Sequence, residues 1–299
     1  MSKADFIGQK KGKERFEEEK RLYEYAGEDR IVSSHQLAEE LAKTEDSNFI
    51  IPTGIPTLDR LHEGGIEMGE VWVFSGPGGE GKTSLTMSIT QNMAEQDVKT
   101  VWFSLEVTPR QFIKKMQART DQVPLFYLPN ENQDPVINWI EERIVEAIVK
   151  QDAKIVFIDH LQQIFSIARM ENQNSNLSWE VGDLMAKIKN LAIMHNIAIC
   201  LIVHTKDDPT GSTREPRKED LRDSGLVSRL ADSIALIWRV PDSDDLEATR
   251  RKVVGEGDSK AKVRLVKNRR VGKLGTWFMH HKDHYLEESN LTGGGAYDF

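Results

Sequence analysis

A glycine-rich segment in the first third of the chain has the spacing of a phosphate-binding loop. Residues 76–83 have the sequence Gly-Pro-Gly-Gly-Glu-Gly-Lys-Thr, which matches the pattern GxxxxGK[ST] in full. Glycines let the backbone wrap closely around phosphate oxygens, and the N-terminus of the following helix points its N–H groups at the same place. Lys82 is expected to reach the β- and γ-phosphates, and the Thr83 hydroxyl is expected to bind Mg²⁺. The residues predicted to bind the nucleotide are Gly76, Gly78, Gly79, Gly81, Lys82, Thr83 and Ser84.

Three ionisable residues each follow an apolar run that is typical of a buried strand. Asp159 follows residues 155–158, and we expect it to hold Mg²⁺ through water. Glu106 follows residues 102–105 and could orient and polarise the water that attacks the γ-phosphate. His204 follows residues 197–203 and could sense whether a γ-phosphate is present. The structural alternatives are a strand-end acid, a helix-start acid and a hydrogen-bonded strand-end histidine.

Strand patterns alternate with helix patterns from about residue 50 onward, which predicts an α/β fold with a mainly parallel, doubly wound sheet. Helices should cover both faces, because the apolar runs are continuous rather than alternating. Short turns between the last strands predict an antiparallel C-terminal edge. The predicted helices are near residues 34–44, 82–96 and 179–195, with others opening at Thr108-Pro109 and Asp134-Pro135; the predicted strands are 71–75, 100–105, 155–158, 197–203, 233–238, 263–266 and 276–279.

Composition indicates a cytoplasmic protein. The chain has 299 residues, of which 38% are hydrophobic and 29% are charged, and no run of about 18 apolar residues occurs. The only cysteine, Cys200, lies in an apolar run and is expected in the core, in a reducing compartment. The formal net charge is −8, so any nucleic-acid site must gather its positive charge locally.

Changes in composition divide the chain into four segments. Residues 1–32 form a charged N-terminal arm, and residues 33–49 form a linker helix that opens on a Ser33–Gln36 capping box. Residues 50–288 form the principal domain, and residues 289–299 form a flexible tail.

Several further motifs resemble those of the replicative ring helicases of superfamily 4, in particular the C-terminal motor domain of the DnaB type, which has a RecA-like core. The likeness extends over residues 50–288. His204 and the Asp159-His160 pair are more similar to the phage helicase–primase and its mitochondrial relative, since DnaB-type members usually have glutamine at position 204. The motifs are Thr53–Asp59, Ser104–Glu106, Ile158–His160, Asp183–Lys189, Val203-His204, Asp220–Gly225 and Lys267–Arg269.

The resemblance implies roles for the candidate residues. Glu106 would be the catalytic base, Asp159 the acid associated with Mg²⁺, and His204 the γ-phosphate sensor. Lys267 and Arg269 would reach a neighbouring subunit's nucleotide, with Arg269 as an arginine finger. Both are expected on one strand with their side chains on the same face, although an exposed arginine in a basic stretch is the alternative.

The resemblance also implies a base-stacking role for Arg239 and two loops that bind DNA. The first loop, about residues 169–178, is polar. The second, about residues 205–222, contains as many acidic as basic residues, so a merely solvated loop is the alternative. Its candidate DNA-binding residues are Lys206, Arg214, Arg217, Lys218 and Arg222.

Three functions remain compatible with these motifs. The first is a helicase motor, fuelled by ATP or dTTP with Mg²⁺, that assembles as a homo-oligomer, expected to be a hexameric ring, on single-stranded DNA. Its expected partners are a primase and a DNA polymerase. About 50 residues precede the core, too few for a primase domain, so the chain is expected to be a motor alone. The Tyr297-Asp298-Phe299 ending is similar to the phage helicase's polymerase-binding tail, and a frayed terminus is the alternative. The second is a RecA-like recombinase or recombination mediator. The third is a nucleotide-switched regulatory module.

Overall fold

A computed structural model describes residues 15–27, 30–43, 50–117, 123–131, 137–160, 163–164, 177–206, 215–221, 224–240, 260–282 and 285–289. The chain divides into two compact units, Met1–Asn48 and Phe49–Phe299. The predicted helix start at Asp134-Pro135 and the loop 169–176 lie outside the described residues.

The first unit contains two helices, α1 over residues 15–23 and α2 over Ser34–Lys43. The predicted capping box is present at the start of α2. The Gln36 backbone N–H donates to Ser33 Oγ at 3.2 Å, and the Ser33 backbone N–H donates to Gln36 Oε1 at 3.0 Å. These reciprocal bonds satisfy donors that a helix N-terminus leaves unpaired.

The second unit is built on an eight-stranded sheet in the order β10-β9-β8-β7-β3-β6-β5-β4. Strands β7, β3, β6, β5 and β4 are parallel, and β8, β9 and β10 add an antiparallel edge. The predicted α/β class, parallel sheet and antiparallel edge are therefore confirmed. The strands are β3 Val71–Gly76, β4 Thr100–Ser104, β5 Ile155–Asp159, β6 Ala198–His204, β7 Ser233–Arg239, β8 Lys260–Asn268, β9 Gly275–Lys282 and β10 Tyr285–Glu288, beside a small pair of β1 Ile50–Ile51 and β2 Ile66–Glu67.

Helices cover both faces of this sheet, and the apolar residues divide into two buried clusters, one on each face. The strands β3, β4 and β5 are buried along their whole length, which explains why their sequences are continuously apolar. Cys200 is fully buried, as predicted. No described helix is long and apolar enough to cross a membrane. The helices are α3 Pro56–Leu61, α4 Lys82–Glu95, α5 Pro109–Gln117, α6 Ile137–Gln151, α7 Leu177–Met194 and α8 Ser224–Leu230, with a 3₁₀ turn at Lys218–Asp220.

The Thr53–Asp59 segment attaches the start of the domain to α4. Asp59 accepts hydrogen bonds from the Thr53 backbone N–H at 2.8 Å and from the Gly54 backbone N–H at 3.0 Å, and the Asn92 amide donates to the Thr53 carbonyl at 3.0 Å. Gly54 has φ +73°, and a Cβ there would lie 2.5 Å from Asn92 Cβ. Only glycine fits this left-handed, closely packed position.

The last strand, β10, lies against α4 and closes this face of the domain. The Leu286 backbone N–H donates to Ser88 Oγ at 2.8 Å, and the Thr57 backbone N–H donates to Glu288 Oε2 at 2.7 Å. Sequence patterns missed β10, as they missed β1 and β2, because each of these strands has four residues or fewer.

His62 is a fully buried histidine between α3 and the start of the sheet. Its Nε2 lies 2.8 Å from Ser233 Oγ, its Nδ1 lies 3.3 Å from the Leu58 carbonyl, and its ring centroid lies 4.1 Å from that of Trp72. Burial lowers the pKa of His62 from 6.5 to about 4. The folded protein therefore holds this imidazole neutral at a pH where the unfolded chain protonates it.

This shift predicts a loss of stability in mild acid. Because the unfolded state binds a proton that the folded state does not bind, the His62 contribution is full above pH 6.5 and falls as the pH approaches 4. Between pH 7 and pH 5 the free energy of unfolding should fall by about 2 kcal/mol on account of this group. Urea titrations at both pH values measure the fall. It should shrink in His62→Gln and stay at the wild-type value in His35→Gln, which changes an exposed histidine; equal falls in all three proteins would contradict the assignment.

Candidate nucleotide site

The predicted phosphate-binding loop connects β3 to α4. β3 ends at Gly76, and α4 begins at Lys82 after Gly81, whose φ is +106°. A Cβ added at Gly78 or Gly79 would meet no atom within 4 Å, so the loop faces open space. The loop and the first turn of α4 thus present backbone N–H groups toward a space that a phosphate chain would fit.

Lys82 is buried at the start of α4. Its ammonium donates to the Gly76 carbonyl at 2.9 Å and to the Pro77 carbonyl at 2.7 Å. Burial lowers the pKa of Lys82 to about 8, against the opposing effect of the carboxylates of Asp159 and Glu106 nearby. A phosphate beside this ammonium would supply the negative charge that its buried position lacks.

Thr83 and Asp159 contact each other across the mouth of the loop. The Thr83 hydroxyl donates to Asp159 Oδ2 at 3.0 Å, although β6 lies between β5 and β3, the strand that leads to α4. Asp159 is the last residue of β5 and is buried. A hydroxyl and a carboxylate are the hard oxygen ligands that Mg²⁺ prefers, so this pair fits the ion expected from the sequence.

Glu106, His160 and His204 form a cluster beside that pair. Glu106 Oε1 lies 3.2 Å from His160 Nε2 and 3.5 Å from His204 Nε2, and the two imidazole centroids are 4.7 Å apart. Burial lowers the pKa of His204, and the neighbouring Lys82 and His160 lower it further, so this imidazole is held neutral. Glu106 and His204 thus lie at the predicted edge. His160 had no assigned role, although its position after Asp159 could have indicated one.

Arg239 ends β7 next to the phosphate-binding loop. Its backbone N–H donates to Glu80 Oε2 at 2.6 Å, and its side chain is exposed. Its predicted stacking on a nucleotide base stays a prediction.

Lys267 and Arg269 lie near the amino-terminal ends of the parallel strands, whereas the phosphate-binding loop lies at their carboxyl ends. Asn268 pairs with Ser233, the first residue of β7, whereas β7 ends beside the loop. The expectation that both residues lie on one strand is wrong in detail, because β8 ends at Asn268 and Arg269 begins the following turn. The β-bulge in β8 lies before Lys267, since Ile234 pairs with Lys267 and Ala235 pairs with Leu265.

A hydrogen-bond network holds both side chains. Lys267 donates to the Ser228 carbonyl at 2.7 Å, and Arg269 donates to the Arg229 carbonyl at 2.8 Å and to Asp232 Oδ1 at 3.2 Å. Burial and the nearby Arg269 guanidinium lower the pKa of Lys267 to about 8. Arg269 nevertheless keeps 52% of its side chain exposed, and its predicted role as an arginine finger stays a prediction.

The second candidate DNA loop is described in part. Lys206 and Arg217 are exposed and Lys218 is half-buried, whereas Arg214 and Arg222 lie outside the described residues. Glu215 binds Lys262 at 2.5 Å and also pairs with Arg264, both on β8. Glu215 is thus paired with β8, whereas Asp220 accepts a hydrogen bond from the Arg217 backbone N–H at 2.7 Å.

Two sequence families match the chain. A DnaB-like helicase C-terminal domain model matches residues 130–290, and an AAA domain model matches residues 37–209. The probable plasmid replicative DNA helicase of Chlamydia psittaci is 24% identical over 67% of this chain and 48% of that protein. The replicative DNA helicase DnaC of Bacillus subtilis is 23% identical over 88% of this chain and 61% of that protein. The DNA repair and recombination protein RadB of Methanosphaera stadtmanae is 29% identical over 52% of this chain and 67% of that protein.

Two solved structures share the fold. A solved ATPase domain superposes with a TM-score of 0.66 at 17% identity, and the match covers 85% of this chain and 96% of that one. A DnaB-like replicative helicase, described together with its interactions with primase, has a TM-score of 0.66 at 16% identity, and the match covers 95% of this chain and 73% of that one. The fold is therefore the RecA-like ATPase fold of DnaB-like helicases.

The geometry predicts separate effects for Lys82 and Glu106. Lys82→Ala should abolish nucleoside-triphosphate hydrolysis, because it removes the buried positive charge beside the phosphates. Glu106→Gln should still bind nucleotide while turnover falls by about 10²–10⁴, the range for a positioned general base. Nucleotide binding by fluorescence and phosphate release by a coupled assay measure the two effects.

Glu141→Gln is the matched control for Glu106→Gln. Glu141 also lies near a histidine, 3.6 Å from His195 Nε2, and its side chain is 41% exposed against 42% for Glu106. It is remote from the phosphate-binding loop on α6, so turnover should be unchanged. Wild-type turnover in Glu106→Gln would remove Glu106 from the catalytic role.

Proposed function

The chain belongs to the DnaB-like helicase C-terminal domain family, and we propose that it is the motor of a ring helicase that hydrolyses ATP or dTTP and moves along single-stranded DNA. The chain spans 48% and 61% of the length of the two replicative helicases it resembles. The activity, substrates and partners of a whole helicase are therefore part of this proposal.

The chemistry proposed for the nucleotide site divides among five side chains. Lys82 binds the β- and γ-phosphate oxygens, and Thr83 with Asp159 would hold Mg²⁺, which neutralises phosphate charge when bound. The Glu106 carboxylate orients a water molecule and accepts its proton as the water oxygen attacks the γ-phosphorus, while the bond from that phosphorus to the bridging oxygen breaks and the nucleoside diphosphate leaves. His204, held neutral by its surroundings, donates a hydrogen bond to the γ-phosphate and changes partner when that group leaves.

The observation that carries the ring proposal is the position of Lys267 and Arg269. Their backbone lies at the amino-terminal ends of the parallel strands, on the side of the sheet away from the phosphate-binding loop of the same chain. A guanidinium at that edge cannot stabilise its own subunit's γ-phosphate, but a head-to-tail neighbour brings this edge to the next nucleotide. Hydrolysis would then depend on the arrangement of adjacent subunits, as a motor requires. A closed ring, expected to be a hexamer, satisfies this contact for every subunit.

The DNA part of the proposal rests on the loop that follows β6. Lys206 and Arg217 are exposed there, at the edge that also carries His204, so strand movement and phosphate sensing share one element. In a closed ring, the same loop of every subunit would place these cations around one central channel. Phosphate contacts of this kind bind DNA without reading its sequence. Primase and DNA polymerase are the partners we propose for the assembled helicase.

A RecA-like recombination mediator is the second candidate, because RadB is 29% identical to this chain over about half its length. A forked duplex with a labelled strand separates the two functions. A helicase displaces the strand in the presence of ATP or dTTP with Mg²⁺, whereas a mediator hydrolyses nucleotide on single-stranded DNA without displacing it. DNA-stimulated hydrolysis without strand displacement would favour the mediator.

A subunit-mixing experiment tests the shared site. Arg269→Ala should lower turnover by about 10³ or more if the residue acts as an arginine finger, and Glu106→Gln is inactive for a different reason. In a randomly mixed ring, about one quarter of the interfaces pair an intact Glu106 with an intact Arg269. Phosphate release should therefore partly recover on mixing.

The control is a mixture of Glu106→Gln with Lys82→Ala. Both changes affect the same side of the interface, so no mixed interface is intact and no recovery is expected. If the first mixture recovers no more than the second while mixed rings form, the action of Arg269 on a neighbour is refuted.

The exposed cations of the loop after β6 predict the salt dependence of DNA binding. Lys206→Gln with Arg217→Gln should lower affinity for single-stranded DNA and flatten the log–log salt slope by about 0.7 for each DNA phosphate that is no longer neutralised. Fluorescence anisotropy over a salt series measures the slope. Lys150→Gln with Lys154→Gln removes the same charge from exposed ion pairs elsewhere and should keep the wild-type slope. Equal slopes in all three proteins would mean that DNA binds elsewhere.

A further inference from the structure

The cluster of Glu106, His160 and His204 has the composition of a transition-metal site. Each residue offers one ligand atom, and these atoms all lie within 4.8 Å of one another. Two imidazole nitrogens and one carboxylate oxygen form the donor set of many catalytic zinc sites, which leave a fourth position open to water.

The distances within the cluster agree with this chemistry. Zinc lies about 2.0–2.1 Å from nitrogen and oxygen ligands, so two ligands of a tetrahedral ion are about 3.3 Å apart. The two contacts of Glu106 Oε1, at 3.2 Å with His160 Nε2 and 3.5 Å with His204 Nε2, are close to that value. The third distance, between the two imidazole nitrogens, is bounded only by the 4.8 Å within which all three ligand atoms lie, so binding one tetrahedral ion requires the side chains to rotate toward it.

This donor set differs from the pair expected to hold Mg²⁺. Thr83 and Asp159 offer only oxygen, whereas the cluster offers two nitrogens, which suit zinc or cobalt and are poor ligands for magnesium. The two sets adjoin in the chain, because His160 follows Asp159 at the end of β5. Their different chemistry nevertheless allows two different ions to be bound side by side.

We propose that Glu106, His160 and His204 form a second divalent-cation site, selective for Zn²⁺-like ions, whose occupation removes Glu106 from catalysis. A carboxylate that coordinates such an ion can no longer accept a proton from water, and an imidazole that coordinates it cannot contact the γ-phosphate. Zinc would therefore inhibit turnover without competing for the Mg²⁺ ligands. The metal site stands on geometry alone; the inhibition rests on the proposed function.

Cobalt is the probe, because tetrahedral Co²⁺ absorbs visible light far more strongly than octahedral Co²⁺. The full chain, stripped with a chelator and free of nucleotide, should develop a tetrahedral Co²⁺ spectrum that stoichiometric Zn²⁺ abolishes. Calorimetric titration with Zn²⁺ should give one site per chain. Excess Mg²⁺ should not displace either ion.

Three variants remove one ligand each: His160→Asn, His204→Gln and Glu106→Gln. Each should weaken Zn²⁺ affinity by about 100-fold or more, since loss of even a supporting residue costs about 10–100-fold. The matched controls are His195→Asn and Glu141→Gln, which break a histidine–glutamate contact outside the cluster and should bind Zn²⁺ like the wild type. Circular dichroism and nucleotide binding verify that each variant is folded.

Two outcomes would overturn the metal site. One is an octahedral Co²⁺ spectrum or none, which would leave the cluster as a hydrogen-bonded group only. The other is unchanged Zn²⁺ affinity in all three ligand variants. A chain that binds Zn²⁺ tetrahedrally but neither hydrolyses nucleotide nor displaces a strand would keep the metal site and reject the helicase, so the two failures are distinguishable.

Discussion

The register of the parallel strands controls which side chains can meet at the nucleotide site. Gly76 pairs with His204, and Ser104 pairs with Asp159, so β3, β6, β5 and β4 end almost level with one another. Parallel strands lead their following residues to the same edge, and a one-residue slip in any of them would turn its terminal side chain to the other face. The contact of Thr83 with Asp159 and the contacts of Glu106 with two histidines both depend on this alignment.

The opposite edge is fixed by a buried carboxylate. Asp232 accepts hydrogen bonds from the Val71 backbone N–H at 2.8 Å, from Lys189 at 2.5 Å and from Arg269 at 3.2 Å. It thereby connects the start of β3, the helix α7 and the turn after β8. Removing one partner of a buried charge is costly, so this network fixes the position of the Arg269 side chain at the surface. Both sides of the proposed subunit interface are therefore positioned by the two ends of β3.

Sequence patterns predicted the parts of the fold that follow local rules. The phosphate-binding loop needs a fixed glycine spacing, and the strands before Asp159 and His204 are long enough to be recognised from apolar runs alone. The structure differs where the cause is not local. β10 is recognisable only through its contacts with α4, the β-bulge in β8 arises from pairing with β7, and Asp232 gains its partners from three distant segments. His160 lies in the site because β4, β5 and β6 are neighbouring strands, and a single sequence does not reveal the strand order.

The acidic net charge is compatible with a local DNA site because exposed charges are screened over about 8–10 Å at physiological salt. What matters is how the acids of the loop after β6 are distributed around its cations. Glu215 pairs with Lys262 and Arg264, both on β8. The charged groups of these two residues also lie 5.3 Å and 5.2 Å from the centre of the Trp238 ring, so both cations have partners within the fold. Lys206 and Arg217 are exposed on the same loop. Because the Glu215 charge is neutralised by β8, the three cations among the described loop residues, Lys206, Arg217 and Lys218, outnumber the two remaining acids, Glu219 and Asp220.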